Sequence, residues 1–455
     1  MSEPITARRP RVFYGWIIVL VSAIAETTAF GAGAASFGVF LQPMSTALGW
    51  SRATLTGAIT LQSFANLLIS PVLGTLVDRH GPRVIMVFGA AVAGTSYLLM
   101  ARVTEPWHFY LLYTTAAAFG LQEIGSLVGT TVVAKWFVRR RGRALAFTTL
   151  GNNVGGILLA PLSAFLIDAV GWGAAWAVLG FVIVVVVLPP TILFMRRSPE
   201  DMGLLPDGDA PQAAAQAGAA TSSGSVKQPR EEPRWGLRDA LRTRTVWILV
   251  ASFNLASLGI SALVYHQVAY FRDAGLSLQD AALNYALFQV SAMIAKLLWG
   301  FLAERAPVRY CLMGTFACRG VGFLILLLGG APERVYWYAV IGGIGGSIAS
   351  LQPLIWADYY GRAFLGTIRG VLSPFSLLSS LCGPLFAALV YDATGSYDTA
   401  FWIFTATLFA AVALMFFARP PLQDVPPGMS PNRAAPGAAQ ALRESGEEPP
   451  KATAP

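Results

Sequence analysis

The chain has 455 residues, of which 55% are apolar and only 12% are charged. This charged share is about half of that in an ordinary soluble protein, so composition excludes a soluble multidomain protein and points to the lipid bilayer as the solvent. Three cysteines without metal-ligand spacing exclude a disulfide scaffold. The mean hydropathy of +0.58 agrees with a membrane protein.

Twelve mostly apolar runs are long enough to cross a membrane, which takes roughly 20 residues for about 30 Å of hydrocarbon. After a cytoplasmic N-terminus at 1–13, the first half (14–194) holds six predicted spans. Their bounds are 14–40, 53–77, 84–101, 107–133, 144–167 and 174–194. The first run is too long and lacks a small-residue cleavage site, so it is not interpreted as a signal peptide.

Residues 195–244 are rich in Pro, Gly, Ser, Ala and charge, which predicts a flexible cytoplasmic linker. The second half (245–418) holds six further predicted spans. Their bounds are 245–271, 281–302, 310–328, 335–356, 363–391 and 400–417. Residues 419–455 have many Pro and Ala and no periodic apolar pattern, so this stretch is predicted to be a disordered cytoplasmic tail.

Basic residues are unevenly distributed between the two ends of the spans. With the N-terminus inside, Arg79, Arg83, Lys135 and most other basic residues flank the spans on the cytoplasmic side. The opposite side carries few of them: Arg52, Arg102, Arg272 and Arg334. Both termini are therefore predicted to be cytoplasmic, in a multi-pass protein of the cell membrane, with the bacterial inner membrane as the expected location. The net charge of +8 is then topological and does not indicate nucleic-acid binding.

The two halves repeat each other in sequence. Residues 74–83 (GTLVDRHGPR) follow span 2 as residues 300–309 (GFLAERAPVR) follow span 8. Residues 166–172 (LIDAVGW) close span 5 as residues 390–396 (VYDATGS) close span 11. Two halves in the same orientation are the design of many secondary transporters, whose site lies between the halves near the membrane midplane.

The motif at 74–83 resembles the loop 2–3 signature of the major facilitator superfamily, G-x-L-x-D-R-x-G-x-R. Three further segments resemble its monocarboxylate-transporter and oxalate–formate-antiporter group: 14–16 (YGW), 136–144 (WFVRRRGRA) and 265–277 (YHQVAYFRDAGLS). The resemblance covers residues 11–419. It implies an all-α integral membrane protein with twelve transmembrane helices in two pseudo-symmetric six-helix halves, alternating access, and a small organic anion as the usual substrate.

The loop motif and its copy also predict a charged latch at the cytoplasmic end. Asp78 can accept hydrogen bonds from a helix N-terminus, and Gly74 and Gly81 permit close approach and a tight turn. Arg79 and Arg83 can pair with carboxylates across the seam between the halves. The members from the second half are Glu304, Arg305, Arg309 and Asp358. We expect the latch to stabilise the outward-open state; the alternative is that these charges only set topology.

Four ionisable residues fall deep within the spans: Glu26, Glu123, Lys296 and Arg319. At 1.5 Å per residue they lie about 12 to 18 Å from the cytoplasmic ends of their spans. A lone charge at this depth costs roughly 3 kcal/mol on insertion scales, so such residues usually face a water-filled cavity or one another.

Lys296 is the leading candidate for substrate binding. It shares one face of span 8 with Tyr285 and Gln289, which gives a stripe of ammonium, phenol and amide groups. In the group that the chain resembles, this point of span 8 carries an Arg that pairs with the substrate carboxylate. The resemblance therefore implies an anion, but Lys lacks the bidentate fork of Arg, so the identity of the anion stays open. The alternative is a structural ion pair between Lys296 and Glu26 or Glu123.

Glu26 and Glu123 are candidates for lining the substrate cavity and for carrying a coupling proton. They lie on spans 1 and 4, which line the cavity in the superfamily together with spans 7 and 10. A carboxyl group that burial removes from water takes up a proton more readily, while the alternative is a purely structural polar role. The acid that the group carries on span 8 is replaced by Ala292, so proton coupling is not implied residue by residue.

Weaker candidates for the cavity lining are Asn152, Asn153, Asn254, Gln352 and Trp356. His266, at the outer end of span 7, is expected to be a packing residue. Arg319 lies on span 9, an outer helix of this fold, and is expected to be structural, either packed against a neighbouring helix or extended towards the membrane surface. Close helix contacts are expected at Gly151, Gly155, Gly156 and Gly180.

The sequence thus predicts a secondary active transporter of a small organic anion, first of all a monocarboxylate, with proton coupling left open. The main alternative is a carrier of a neutral or cationic solute, a drug or a sugar. Residues 151–157 lack the Gly-Pro pair of the drug-antiporter signature, which argues mildly against drug efflux.

Other classes of function are disfavoured. No Walker motif is present, which excludes an ATP-driven pump, and the scattered His80, His108 and His266 argue against a membrane enzyme. A sensor that does not transport would usually carry a folded cytoplasmic domain. No cofactor, metal or nucleic acid is expected; the predicted partners are the anion, the optional proton and the lipid bilayer, and the protein is expected to function as a monomer.

Overall fold

The computed structural model describes residues 13–138, 140–208, 237–329, 333–360 and 365–421. In the first half, α1 is Gly15–Leu48, α2 is Arg52–His80 and α3 is Pro82–Met100. The interrupted α4 comprises Pro106–Ala116, the π-helical turn Ala117–Leu121, Gln122–Ile124 and Ser126–Trp136. The long stretch Arg141–Phe194 is divided by the non-helical Gly171 into α5 (141–170) and α6 (172–194).

The second half repeats this architecture. Its helices are α7 (Arg244–Asp273), α8 (Leu278–Ala303), α9 (Val308–Leu328), α10 (Arg334–Ile344 and Ile348–Tyr360), α11 (Leu365–Thr394) and α12 (Asp398–Phe417). Between the halves, the described residues form the 3₁₀ turns Glu200–Met202 and Pro206–Gly208 and the short helix Leu237–Arg242. The described residues contain no β-strand, and the predicted fold of twelve helical segments in two six-helix halves is confirmed. These helices belong to one compact unit that ends at Arg419.

Eight helical stretches among the described residues are long and apolar enough to span a membrane. One of them holds both α5 and α6, whereas α4, which is broken at Gly125, is not among the eight. The predicted spans correspond to the helices, although α1 continues beyond the predicted end at residue 40. It ends at Gly49, whose φ of +67° is a left-handed conformation that favours glycine.

The internal repeat is visible in the backbone. Gly171 separates α5 from α6 with a φ of +82°, and Gly395, its partner in the sequence repeat, separates α11 from α12 with a φ of +72°. Both glycines therefore make the same kind of sharp turn at corresponding places in the two halves.

Glycines bring the helices of the first half close together, as the sequence predicts. A Cβ atom at Gly151 on α5 would lie 2.6 Å from the carbonyl oxygen of Ala23 on α1, and one at Gly180 on α6 would lie 2.6 Å from the carbonyl oxygen of Gly94 on α3. Such separations leave no room for a side chain, so these backbones pack directly against each other. This packing fixes α1 against α5, and both of these helices contribute to the cavities described next.

Candidate substrate site and gate

A cavity of about 530 Å³, here called the Glu26 cavity, is lined mainly by α1, α2 and α4. Its polar lining residues are Glu26, Gln62, Asn66, Gln122, Thr130 and Asn152, together with Tyr113 and Tyr265. The π-helical turns Gly31–Ala35 and Ala117–Leu121 both contribute to its wall. A π turn inserts an extra residue into a helix, and such turns are frequent at functional sites.

Glu26 is a buried carboxyl group with one open hydrogen-bonding position. Its side chain is 2% exposed, and its Oε2 atom makes no hydrogen bond within the described residues. Asn152 lies beside the carboxyl group, and the charge of Lys296 acts on it. A proton bound to this carboxyl group would remove a negative charge whose burial is otherwise costly.

A second cavity of about 260 Å³, here called the Lys296 cavity, lies between the two halves. The first half contributes Phe30, Asn152 and Asn153, and the second half contributes residues of α7 to α10. Phe30 and Asn152 line both cavities. A change at Asn152 can therefore affect the Glu26 cavity and the Lys296 cavity together.

The polar stripe predicted on span 8 lies on one wall of this cavity, because Tyr285, Gln289 and Lys296 all line it. The ammonium group of Lys296 donates a hydrogen bond to Oδ1 of Asn153 on α5. Asn153 in turn donates to the carbonyl oxygen of Gln289 over 3.3 Å. None of the ion pairs between described residues joins Lys296 to Glu26, so Lys296 contacts the other half through a neutral amide.

Arg319 also lines the Lys296 cavity, although sequence reasoning did not include it among the cavity residues. Its side chain is 6% exposed, and its guanidinium carbon lies 4.7 Å from the centroid of the Phe288 ring. The expected packing against a neighbouring helix is therefore present. The expected alternative, a side chain that extends towards the membrane surface, is wrong because the group is buried beside the cavity.

Arg319 can reach the cavity from an outer helix because α10 contains glycines where it passes α8 and α9. A Cβ atom at Gly345 would lie 2.9 Å from the backbone nitrogen of Arg319, and one at Gly343 would lie 2.5 Å from Cβ of Ser291 on α8. Both glycines therefore let the three helices approach to backbone distance. The sequence signal that could have indicated this arrangement is the GGIGG run at 342–346.

The end of the helix bundle that carries Arg52 is closed by a contact between the halves. Arg52, the first residue of α2, forms a bidentate pair with Asp273 at the end of α7, over 2.7 and 2.8 Å. The Arg52 side chain is 5% exposed and that of Asp273 is 26% exposed. The guanidinium also lies 3.7 Å from the Tyr391 ring centroid and donates to the Tyr397 hydroxyl over 2.8 Å.

Asp392 on α11 strengthens the same contact. It accepts hydrogen bonds from the backbone N–H groups of Arg52 (3.1 Å) and Ala53 (2.8 Å), at the N-terminus of α2. A helix N-terminus favours a carboxylate because its N–H groups are unpaired and its dipole is positive there. We call the set of Arg52, Asp273, Tyr391, Asp392 and Tyr397 the Arg52 gate. From the sequence alone, Arg52 is interpreted only as a topological charge.

His266 supports this gate from inside the protein. It is fully buried, its Nδ1 atom lies 2.9 Å from the Tyr397 hydroxyl, and its Nε2 atom lies 3.0 Å from the carbonyl oxygen of Pro384. It lines neither cavity, so the structure places His266 in the packing behind the gate.

Comparison with known proteins decides the family. The profile of the Major Facilitator Superfamily matches residues 16–283 and again residues 249–447. The chain belongs to the Major Facilitator Superfamily. It is therefore a multi-pass membrane transporter and not an enzyme.

Curated relatives of this superfamily member share about a quarter of its sequence. The oxalate:formate antiporter of Oxalobacter formigenes is 26% identical over 396 residues, which cover 85% of this chain and 87% of that protein. Monocarboxylate transporter 12 of Homo sapiens is 23% identical over 432 residues, which cover 89% and 80%. A crystal structure of a D-xylose-proton symporter superposes with a TM-score of 0.67 at 14% identity, covering 89% of this chain and 98% of that one. This last likeness shows the fold alone.

Some predicted site residues of this transporter lie away from the two cavities. Asn254 donates to the carbonyl oxygen of Val250 over 2.7 Å and accepts a hydrogen bond from Ser379 on α11 over 2.5 Å. Gln352 lies on the second part of α10 and lines neither cavity. The side chain of Glu123 lies outside the described residues.

At the opposite end of the bundle, Arg305 and Arg309, two members of the predicted latch from the second half, make contacts within that half. Arg305 packs over the ring of Phe301, 3.5 Å from its centroid. Arg309 donates to the Tyr310 hydroxyl over 2.8 Å and to the carbonyl oxygen of Ala418 over 3.4 Å. Neither of these contacts crosses to the first half, in a structure whose Arg52 gate is closed.

The first-half part of the predicted latch is a sharp turn with exposed charges. Gly81 separates α2 from α3 with a φ of +81°, which provides the tight turn expected there. The side chains of Gly74 and Asp78 lie outside the described residues. Arg79 and Arg83 are exposed in this part of the latch, and Glu304 and Asp358 are exposed in the part from the second half. The latch is predicted for the state in which the Arg52 end is open. Because this end is closed in the structure, the latch remains a prediction.

Proposed function

We propose that this transporter carries a small organic anion across the membrane by alternating access, and that Lys296 holds the anion through a carboxylate. The observation that carries the proposal is the position of Lys296 in a cavity between the two halves, with a neutral amide as its partner across the seam. A half-buried ammonium group without a carboxylate in contact favours an anion, because the ligand supplies the missing countercharge.

The relatives support a carboxylate in particular. The names of the oxalate:formate antiporter and of monocarboxylate transporters 12, 2 and 11 all refer to carboxylates. A monocarboxylate is accordingly the first substrate to test. The Lys296 cavity favours the same class, because a cationic solute would be repelled by both Lys296 and Arg319.

Anion binding at this place can be coupled to the movement of the halves. An anion that binds the Lys296 ammonium group competes with Asn153, and thereby loosens a contact between α8 and α5. The Arg52 gate also joins the two halves, at the end of the bundle that carries Arg52. Alternating access requires that this gate breaks when the Arg52 end opens, and we propose that the predicted latch then forms at the opposite end.

Glu26 is the residue that we propose to carry a coupling proton. Its charge and that of Lys296 attract each other while the carboxyl group is ionised. An anion on Lys296 weakens this attraction and repels the carboxylate, so it favours protonation of Glu26. By linkage, a proton on Glu26 favours binding of the anion to the same extent.

The experiment is uptake of labelled solutes into proteoliposomes that contain the purified protein, with and without a pH gradient. The panel comprises monocarboxylates, dicarboxylates, D-xylose and cationic drugs, and Lys296→Gln serves as the inactive control. We expect saturable uptake of a carboxylate. A pH gradient that is acidic on the side from which the substrate enters should accelerate this uptake. Uptake of D-xylose or of a cationic drug, with no uptake of any carboxylate, would overturn the proposal.

A further inference from the structure

The Lys296 cavity contains a second cation, and we propose that Arg319 binds a second anionic group of the substrate. The inference rests on the proposed function, because it takes the Lys296 cavity as the substrate site. It makes the preferred substrate a small acid with two anionic groups, such as a dicarboxylate, rather than the monocarboxylate that the sequence alone favours.

The surroundings of Arg319 lack a countercharge. Its side chain is 6% exposed, its polar neighbours are the hydroxyl groups of Tyr338 and Tyr285, and none of the ion pairs between described residues includes it. Its Nε atom has no hydrogen-bond partner within the described residues. A charge buried at this depth is costly unless an opposite charge compensates it. An anion in the cavity would provide that compensation.

A neighbouring amide presents a further open donor to the same cavity. Gln267 lines the cavity and is 1% exposed. Its Oε1 atom accepts a hydrogen bond from Tyr338 over 3.1 Å, while its Nε2 atom has no partner within the described residues. Together, Lys296, Arg319 and Gln267 line one cavity with two cationic groups and an open amide donor. A ligand that consists mostly of acceptor atoms satisfies this set, and a carboxylate is such a group.

The charges and the size of the cavity agree with a small dianion. Glu26 is the carboxyl group that acts on Lys296. When Glu26 carries a proton, the two cations of the cavity are balanced by two negative charges on the ligand. The volume of about 260 Å³ lies below the range of about 300–1,000 Å³ that is typical of sites for drug-sized ligands. The ligand is therefore a short-chain acid.

The test compares matched acids that differ only in the second carboxylate: malonate with propanoate, succinate with butanoate, and glutarate with pentanoate. Binding to the purified full-length protein is measured by calorimetry for the parent, Arg319→Gln and Lys296→Gln. We expect the parent to bind at least one dicarboxylate about tenfold or more tightly than its matched monocarboxylate, as one charged hydrogen bond would give. Arg319→Gln should remove this preference, because it should weaken the binding of each dicarboxylate about tenfold more than that of its matched monocarboxylate.

Lys296→Gln should lose the binding of both acids in each pair. This result would distinguish the role of Lys296 from that of Arg319. A parent without preference for dicarboxylates, or an Arg319→Gln variant that keeps the preference, would overturn the role of Arg319 while the proposed function stands. A parent that binds none of the six acids would overturn both. If Arg319→Gln does not fold, Arg319→Lys replaces it; this variant should weaken dicarboxylate binding alone, and equal weakening of both acids would refute the inference.

Discussion

The Arg52 gate leads to a direct prediction about conformation: Arg52→Gln should open the Arg52 end of the transporter. Gln is too short to reach Asp273 as a bidentate partner, and it lacks the charge that packs over the Tyr391 ring. The variant leaves the Asp273 carboxylate without its partner in the closed state. No such loss occurs in the open state, where the pair is already broken, so the equilibrium shifts towards opening.

The size of the shift follows from the burial of the pair. Removal of one partner from a buried ion pair typically costs about 3–5 kcal/mol. The side chain of Asp273 is 26% exposed, so water still solvates it in part. We therefore expect Arg52→Gln to destabilise the closed state relative to the open state by about 2–3 kcal/mol, at or below the lower end of that range. This change corresponds to a shift of roughly 30- to 150-fold in the ratio of open to closed molecules.

Pulsed electron paramagnetic resonance measures this shift as a distance between two spin labels. Thr104, in the loop between α3 and α4, and Thr399, at the start of α12, are exposed labelling positions on the two halves at the Arg52 end. The native cysteines to be replaced first are Cys311, Cys318 and Cys382. Arg52→Gln should increase the fraction of long distances relative to the parent.

The matched control is Arg102→Gln, which removes an exposed arginine from the same end of the bundle. Its distance distribution should equal that of the parent. If Arg52→Gln also gave the parent distribution, the ion pair would not hold this end closed, and the gate as described here would be refuted.

Three further predictions concern the other carboxylates. Asp78→Asn should lower the saturated transport rate more than the binding affinity, since Asp78 is predicted to bias the conformational equilibrium. Measurements of flux and of equilibrium binding on the same variant check this, and a loss of binding with normal flux at saturation would contradict it. Glu26→Gln should uncouple uptake from the pH gradient but keep exchange between preloaded vesicles, and Glu123→Gln should do so if Glu123 is the proton carrier instead. If both variants respond to the gradient as the parent does, neither residue is the carrier. Asp392→Asn should lengthen the spin-label distance described above, whereas Asp168→Asn, its exposed counterpart in the sequence repeat, should not; equal effects would argue against the capping role of Asp392.

The fold and the stripe on α8 could be predicted from sequence because both depend on local spacing. The thickness of the bilayer sets the length of an apolar run, so the spans can be counted directly. A helical period places Tyr285, Gln289 and Lys296 on one face, and the structure shows these three side chains at one cavity.

The position of Arg319 depends on packing that no single helix reveals. An outer helix normally has no access to the cavity, and access here depends on the glycines of α10, including Gly343 and Gly345. The Arg52 gate escaped prediction for a similar reason, since Arg52 and Asp273 are 221 residues apart in the chain. Counting charges at each end of the spans identifies topology, but it does not identify which charges meet.

The most direct test of the central claim is the binding of a carboxylate to Lys296→Gln. Gln keeps hydrogen-bond donors but removes the charge, and by analogy with breaking a buried pair we expect a loss of about 2–4 kcal/mol in binding free energy. Lys296→Arg, which keeps the charge, should retain partial binding. The measurement is the rise in melting temperature that the best carboxylate gives to purified parent and variant at one concentration. Our account predicts a rise for the parent and none for Lys296→Gln; an equal rise in both would contradict it.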